Sequence, residues 1–119
     1  MEVGNFPKRG EIYLVSLDPT IGKEIKKTRP ALIISNDINN QYAPTVTVIP
    51  ITSKTEKIYP FEVFIQASKK TGLSCDSKAK CEQIRTIDKR RLIKLLGKVS
   101  EKELKEIEKA LLIHLGINL

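Results

Sequence analysis

Two side chains suited to phosphate chemistry, Arg29 and Thr52, fall at the facing ends of two predicted strands. PALIISN (30–36) and TVTVIPIT (45–52) are rich in β-branched residues and predict strands joined by a polar, turn-rich connection, DINNQYAP. If the strands pair around the middle of that connection, the numbers of opposed residues add up to 81, which sets Arg29 opposite Thr52. Directly opposed side chains project from the same face of a sheet with Cβ atoms ~5 Å apart. The register therefore predicts that both side chains meet at one rim of the sheet.

An arginine in this position suits the recognition of a phosphate. Its guanidinium offers five donors in a planar fork, and Pro30 restricts the backbone of Arg29 to extended conformations. The alternative is a surface arginine that forms a salt bridge with Glu24 at the rim, because many surface arginines have no function.

The available side chains favour a reaction in which the substrate brings its own nucleophile. The single histidine, His114, lies in a predicted C-terminal helix, where we expect it to be partly buried, and no Ser–His or Cys–His pair suggests a nucleophilic enzyme. No cluster of aspartates suggests two metal ions. RNA supplies a 2′-hydroxyl next to each phosphorus, so Arg29 would stabilise the phosphorane and assist the leaving oxygen, and Thr52 would hold a phosphate oxygen. Glu24 is the candidate base.

Composition and charge indicate an ordinary globular domain with an anionic partner. The 119 residues, 40% of them apolar, predict one domain over residues 1–119, and 21 Lys and Arg against 14 Asp and Glu give a net charge of +7. Such an excess favours a polyanion, although the basic run RTIDKRRLIKLLGK also fits a solvated face. The N-terminal residues have no secretory pattern and no segment is long enough to span a membrane, so we expect a cytoplasmic protein.

The two cysteines predict neither a disulfide framework nor a metal site. Cys75 and Cys81 could meet across a hairpin, but two reduced thiols are the expected state for a cytoplasmic chain. We expect no metal ion and no cofactor.

The remaining segments predict strands first and helices last. GEIYLVSL (10–17) and IYPFEVFIQ (58–66) predict strands, whereas LSCDS and KAKCEQI are weaker candidates because of their charge. A short helix is predicted over 88–96 from the spacing of Leu92, Leu95 and Leu96. Ser100 and Glu103 then form a capping box ahead of a longer amphipathic helix. This order indicates a mainly β or α+β fold, an antiparallel sheet or small barrel covered by helices.

Five segments together resemble the MazF/PemK family of toxin endoribonucleases of type II toxin–antitoxin systems. They are KRGEIYLVSLDPTIGKE, TRPALIISND, APTVTVIPIT, YPFEV and EQIRTIDKRRL, in that order along residues 8–92. The resemblance implies an SH3-like antiparallel barrel of the CcdB/MazF type with a C-terminal helix, a homodimer, and metal-independent cleavage of single-stranded RNA at short sequence motifs. Its products would carry a 2′,3′-cyclic phosphate and a 5′-hydroxyl. The family's catalytic arginine and threonine fall on Arg29 and Thr52, and Glu24 matches an acidic position near its active site.

The resemblance also implies an RNA groove and a protein partner. Glu82 and Gln83 match positions that line the groove, and the predicted RNA-binding residues further include Lys23, Lys26, Lys27, Ser53, Lys54 and Arg85. The partner would be a MazE-like antitoxin whose acidic tail covers the basic groove. Two segments depart from the family: Lys26 and Lys27 stand where glycine is common, and SKAKC stands where an apolar strand is usual.

Two other functions remain compatible with the sequence. A toxin of the CcdB group shares the barrel but poisons DNA gyrase by binding it, and this action would not need Arg29 and Thr52. A barrel that binds nucleic acid without catalysis would explain the net charge of +7 equally well.

Overall fold

The computed structural model describes residues 5–118, which form one mainly antiparallel sheet and a C-terminal helix. The strands are β1 (Glu11–Ser16), β2 (Thr28–Ile33), β3 (Thr45–Thr52), β4 (Glu62–Ile65), β5 (Ser77–Lys80), β6 (Arg85–Asp88) and β7 (Leu92–Lys98). The helices are α1 (Asp37–Tyr42) and α2 (Glu101–Leu115), and two single 3₁₀ turns cover Cys81–Gln83 and Lys89–Arg91. None of the helices in residues 5–118 has the length and apolar character needed to cross a membrane.

Strand β3 is the centre of the sheet because it pairs with three neighbours. The strand order is β4-β5-β3-β2-β1-β7, and β6 adds to β3 outside this path. The first half of β3 pairs with β6 and its last two residues pair with β5. Within the described residues the strand path does not close into a full barrel: β4 and β7 end it, and a hydrogen bond of 2.9 Å from Lys98 N to Lys70 O links the β7 end to the segment after β4. The predicted fold class is confirmed, with the barrel left open at this seam.

Two hydrophobic clusters lie on opposite faces of the central strands. Alternation along a strand sends neighbouring side chains to different faces, so Leu32 belongs to one cluster and Ile33 to the other. The first cluster is covered by α2, which buries Ile107 and Ala110 against it. Both sides of the strands that hold Arg29 and Thr52 are therefore fixed by packing.

The predicted register between β2 and β3 is confirmed. Ala31 pairs with Pro50 and Ile33 with Val48, and each pair of numbers adds up to 81. The connection itself was predicted wrongly as a turn: residues 37–42 form α1, because Asn36 caps the helix by accepting a hydrogen bond from Asn39 N at 2.8 Å. The register is the same although the connection is a helix. The pairing of β2 with β3 is set by the burial of their side chains and not by the conformation of the connection.

Four other local predictions need correction. Residues 92–98 form strand β7 and not a helix, because pairing with β1 outweighs the helical spacing of the leucines. Strand β2 begins two residues earlier than predicted, so Arg29 lies within it, and β4 is shorter than predicted. His114 is exposed and not partly buried.

The C-terminal helix confirms the capping box. Ser100 Oγ accepts from Glu103 N at 3.1 Å, and Glu103 Oε1 accepts from Ser100 N at 2.9 Å. At the other end Gly116 adopts a left-handed conformation with φ 68°, which suits a glycine after a helix.

Candidate nucleic-acid interface and active site

Arg29 and Thr52 line one open cleft of about 350 Å³, referred to below as the Arg29 cleft. The register of β2 and β3, extended two residues beyond the pair Ala31 and Pro50, sets Arg29 and Thr52 opposite each other. Arg29 Nε donates to Lys26 O at 3.0 Å, and the Thr52 hydroxyl accepts from Lys54 N at 3.3 Å. Within residues 5–118 the terminal amino groups of Arg29 make no hydrogen bond or ion pair, so they are available to a ligand.

The Arg29 cleft is strongly cationic. Its basic side chains are Lys23, Lys26, Arg29, Lys54, Lys57, Lys78 and Lys80, and its acidic side chains are Glu24 and Glu56. Seven positive and two negative charges leave an excess of five. A concave surface with this excess attracts a polyanion and concentrates it near Arg29.

The loop before β2 is folded onto the sheet by Gln83. Its side-chain oxygen accepts from Ile25 N at 2.7 Å and its amide nitrogen donates to Lys23 O at 3.3 Å. Glu24 caps a turn in the same loop by accepting from Ile21 N at 2.6 Å. Glu24 therefore lines the Arg29 cleft without an ion pair to Arg29 in the described part of the chain, and the salt-bridge alternative is wrong for this structure.

The other predicted RNA-binding residues are divided among neighbouring surfaces. Glu82, Arg85, Lys23, Glu24 and Gln83 line a second cleft of about 410 Å³. Ser53 and Arg29 line a third cleft of about 390 Å³, together with Cys75 and apolar side chains. Arg29 and the Lys23 loop thus connect three adjacent depressions.

Lys27 lies outside the walls of these clefts and is exposed. Its φ of 72° is in the left-handed region, which side chains other than glycine rarely adopt. Lys27 N donates to Asp18 Oδ1 at 3.0 Å, and Lys27 O accepts from Leu17 N at 3.0 Å. These bonds hold the backbone in this conformation, which a glycine would adopt with less strain.

Lys57, Lys78 and Lys80 belong to the Arg29 cleft and were missed by sequence reasoning. The charges of SKAK made this segment a weak strand candidate, yet it forms β5, in which Lys78 is the partner of Thr52. The alternation of Lys78 and Lys80 was the available signal, because residues two apart on a strand share a face.

The two cysteines are free thiols, as predicted. Cys75 is exposed and Cys81 is buried. Burial, with the charges of Glu82 and Glu62 adding to it, raises the pKa of Cys81 to about 12. Among the described residues no group of three or more His, Cys, Asp or Glu is arranged to hold a metal ion.

Comparison with known proteins agrees with this fold. The family model for the PemK-like, MazF-like toxin of type II toxin–antitoxin systems matches residues 8–115, so the chain belongs to that family. The endoribonuclease MazF9 of Mycobacterium tuberculosis strain H37Rv is 44% identical over 115 residues, covering 92% of this chain and 97% of the relative.

Solved structures give the same result. MazF from Deinococcus radiodurans superposes with a TM-score of 0.81 at 28% identity and covers 93% of this chain and 97% of its own. A mycobacterial endoribonuclease in complex with its cognate antitoxin superposes with a TM-score of 0.78 at 26% identity, covering 95% and 98% of the two chains.

Proposed function

We propose that this toxin is a metal-independent, sequence-specific endoribonuclease that cleaves single-stranded RNA such as mRNA. The observation that carries the proposal is the Arg29 cleft, in which the facing ends of β2 and β3 meet inside a surface with an excess of five positive charges. The relative named endoribonuclease MazF9 supports the same activity.

The cleavage step needs no nucleophile from the protein. The RNA 2′-hydroxyl loses its proton to Glu24 and its oxygen bonds to the adjacent phosphorus, while the bond from phosphorus to the 5′ oxygen breaks. Arg29 stabilises the charge that develops on the phosphorane and donates a hydrogen bond to the departing 5′ oxygen, which takes up a proton from water. Thr52 donates its hydroxyl hydrogen to a phosphate oxygen, and Glu24 releases the proton it has taken to solvent after the products leave. The products are a 2′,3′-cyclic phosphate and a 5′-hydroxyl.

RNA follows the cationic surface around this centre. Lys23, Lys26 and Lys54 contact phosphates from the walls of the Arg29 cleft, and Lys27 contributes charge beside it. Ser53 and Arg85 extend the contact surface into the two neighbouring clefts, together with Glu82. Gln83 acts mainly by holding the Lys23 loop, because its amide is already bonded to that loop.

The partners and context follow from the family. We propose one toxin domain over residues 1–119, a homodimer in the cytoplasm, and neutralisation by a MazE-like antitoxin with an acidic segment. The family match over residues 8–115 supports the single domain. The mycobacterial relative solved with its cognate antitoxin supports the partner, and the charge of the cleft suits an acidic chain.

An RNA cleavage assay in EDTA tests this function. We expect purified wild-type protein to produce RNA ends with a 5′-hydroxyl at a recurring short motif, which sequencing of the 5′-hydroxyl ends would identify. RNA bound but intact would instead support a non-catalytic barrel. RNA neither bound nor cut, with gyrase bound, would support the CcdB-like alternative.

The variant Arg29→Ala tests the proposed centre. We expect kcat/KM to fall by about 100-fold or more, because the charge that stabilises the transition state is lost. Arg90→Ala is the matched control, since Arg90 is exposed and pairs with Asp88 at the opposite end of β3. Equal loss in both variants, or full activity in Arg29→Ala, would show that Arg29 does not have this role.

A further inference from the structure

A buried ion pair lies under the Arg29 cleft and is not explained by the cleavage step. Lys78 and Glu62 have side chains that are 9% and 1% exposed, and Lys78 Nζ lies 2.9 Å from Glu62 Oε1. Charged side chains this buried are uncommon, and an apolar pair of similar volume would often be at least as stable. The pair therefore calls for a role beyond packing.

The position of Lys78 links it to the site. On β5 it is the partner of Thr52 on one side and of Phe64 on the other. Because directly opposed residues share a face, the Lys78 side chain leaves the sheet on the same side as Thr52. Its ammonium group is then bonded on that side to groups that follow Thr52 in the chain.

The second acceptor of Lys78 is the backbone of the segment after Thr52. Lys78 Nζ donates to Lys57 O at 2.6 Å. Residues 53–61 connect β3 to β4 and bring Lys54 and Lys57 to the cleft. Among the hydrogen bonds of residues 5–118, this is the one that reaches the backbone of 53–61 from outside residues 52–62.

Glu62 holds the other end of the same segment. Its Oε1 accepts from Tyr59 N at 2.9 Å as well as from Lys78. Lys80 Nζ lies further away, 3.8 Å from Glu62 Oε2 and 3.4 Å from Glu82 Oε2. Lys78 and Glu62 thus form a unit that joins β5 to residues 57 and 59, whereas Lys80 is a neighbouring cation without a bond to the segment.

We propose that Lys78 is a positioning residue that determines RNA sequence selectivity. By donating to Glu62 and to the Lys57 carbonyl, it fixes residues 53–61 over the cleft. The position of Lys54 and Lys57 then sets the register in which the RNA backbone lies, and so which bases lie beside Arg29. The inference rests on the proposed ribonuclease function for its RNA readout. Burial makes this attachment rigid, because water competes less for a buried, charge-assisted hydrogen bond.

The test removes the attachment without leaving a buried charge. Lys78→Met leaves Glu62 without its nearest cation and risks unfolding, so the main variant is Lys78→Met combined with Glu62→Gln, which keeps the acceptor for Tyr59 N. Lys80→Met is the matched control: it removes one cation from the same strand, face and cleft but leaves the Lys57 carbonyl bonded. Both are compared with wild type by ¹⁵N relaxation of residues 55–59 and by mapping the 5′-hydroxyl ends on a mixed RNA.

We expect the double variant to lower the backbone order parameters of this segment below about 0.6, while Lys80→Met keeps them nearer to the rigid-backbone value of about 0.85. We also expect the double variant to cut a broader set of sequences than Lys80→Met does. Unchanged order parameters in the double variant would overturn the proposal. So would a mobile segment with the wild-type cleavage motif. If wild type cut no RNA, the proposed function would fail, and the order parameters would still decide whether Lys78 holds the segment.

Discussion

The guanidinium of Arg29 is held by a hydrogen bond to the preceding loop. The donation from Nε to Lys26 O uses one of the five guanidinium donors of a side chain that lines the cleft, and it leaves the other four for a ligand. On the proposed function, less side-chain freedom is then lost when the RNA phosphate binds, which favours preorganised charge stabilisation. The strand pairing with Val15 fixes the backbone of the same residue.

The two thiols are expected to differ in reactivity. Thiolate is the reacting form, and the pKa of Cys81, raised to about 12 by burial, keeps this thiol protonated at neutral and mildly alkaline pH. We expect iodoacetamide to modify Cys75 in the folded protein and to modify Cys81 only after unfolding, as read by peptide mass spectrometry. Equal labelling of both in the folded state would contradict the buried position of Cys81.

The raised pKa of Cys81 also predicts how the stability of the fold changes with pH. Folding favours the protonated Cys81 thiol, because its folded pKa lies above the ordinary value of 9.0. Its contribution to stability is therefore fully present below that ordinary value and is lost as the pH rises toward about 12.

At the scale of elements, sequence patterns predicted the parts whose local and tertiary signals agree. The capping box at Ser100 and strand β3, which is rich in β-branched residues, were predicted correctly because no competing structure fits their residues. A helix was predicted where strand β7 lies, because the spacing of Leu92, Leu95 and Leu96 also fits one face of a helix. Its pairing with β1 depends on residues distant in sequence, which local periodicity does not report.

Strand β5 shows the opposite kind of error. Its lysines made the segment a weak strand candidate. In the structure Lys78 is nevertheless buried, because Glu62 on the neighbouring strand pairs with it. A buried charge is recognisable only when its partner is known, and the partner lies 16 residues away in sequence. The pairing of Arg29 with Thr52, by contrast, could be predicted because both strands have clear sequence signals and the register follows from the midpoint of their connection.

The seam between β7 and the segment after β4 depends on close backbone contact. A Cβ added at Gly97 would lie 2.3 Å from Lys70 O, and one added at Gly72 would lie 1.9 Å from Leu96 O. We expect Gly97→Ala to lower the free energy of unfolding by about 2–4 kcal/mol, because backbone atoms cannot move away as a side chain could. Urea denaturation would measure the change.

Gly116→Ala is the control for this substitution. Its left-handed φ of 68° is strained for alanine, but no atom lies within 4 Å of the added Cβ. We expect a cost of about 1 kcal/mol there. If the two variants were equally stable, the seam would not be as close as described.

At the scale of the whole molecule, the positive charges behind the net charge of +7 are unevenly distributed over the surface. The Arg29 cleft gathers seven of the 21 Lys and Arg side chains, whereas the lysines of α2 lie on an exposed helix face with glutamates among them. Composition predicted a polyanion partner, but only the fold shows that lysines from β5 and from residues 53–61 join those of the Lys23 loop.

Salt dependence should distinguish these two sets of lysines. We expect the slope of log affinity against log salt to become less negative by about 0.7 in Lys26→Ala, since one phosphate contact on single-stranded RNA is lost. Lys109→Ala, on the exposed face of α2, should leave the slope unchanged. Fluorescence anisotropy would measure binding without cleavage if the RNA carries 2′-O-methyl groups, because no 2′-hydroxyl is then free to attack the phosphorus. A smaller slope in both variants would mean that RNA binding is spread over the surface.

At Lys27 the left-handed backbone and the positive charge favour different residues. Its φ of 72° favours glycine, which would relieve strain of about 1 kcal/mol. A lysine retains a positive charge next to Lys26 and Arg29, where the proposed function brings the RNA. On the proposed function, a glycine at this position would exchange RNA affinity for a less strained loop, so the lysine trades local stability for charge.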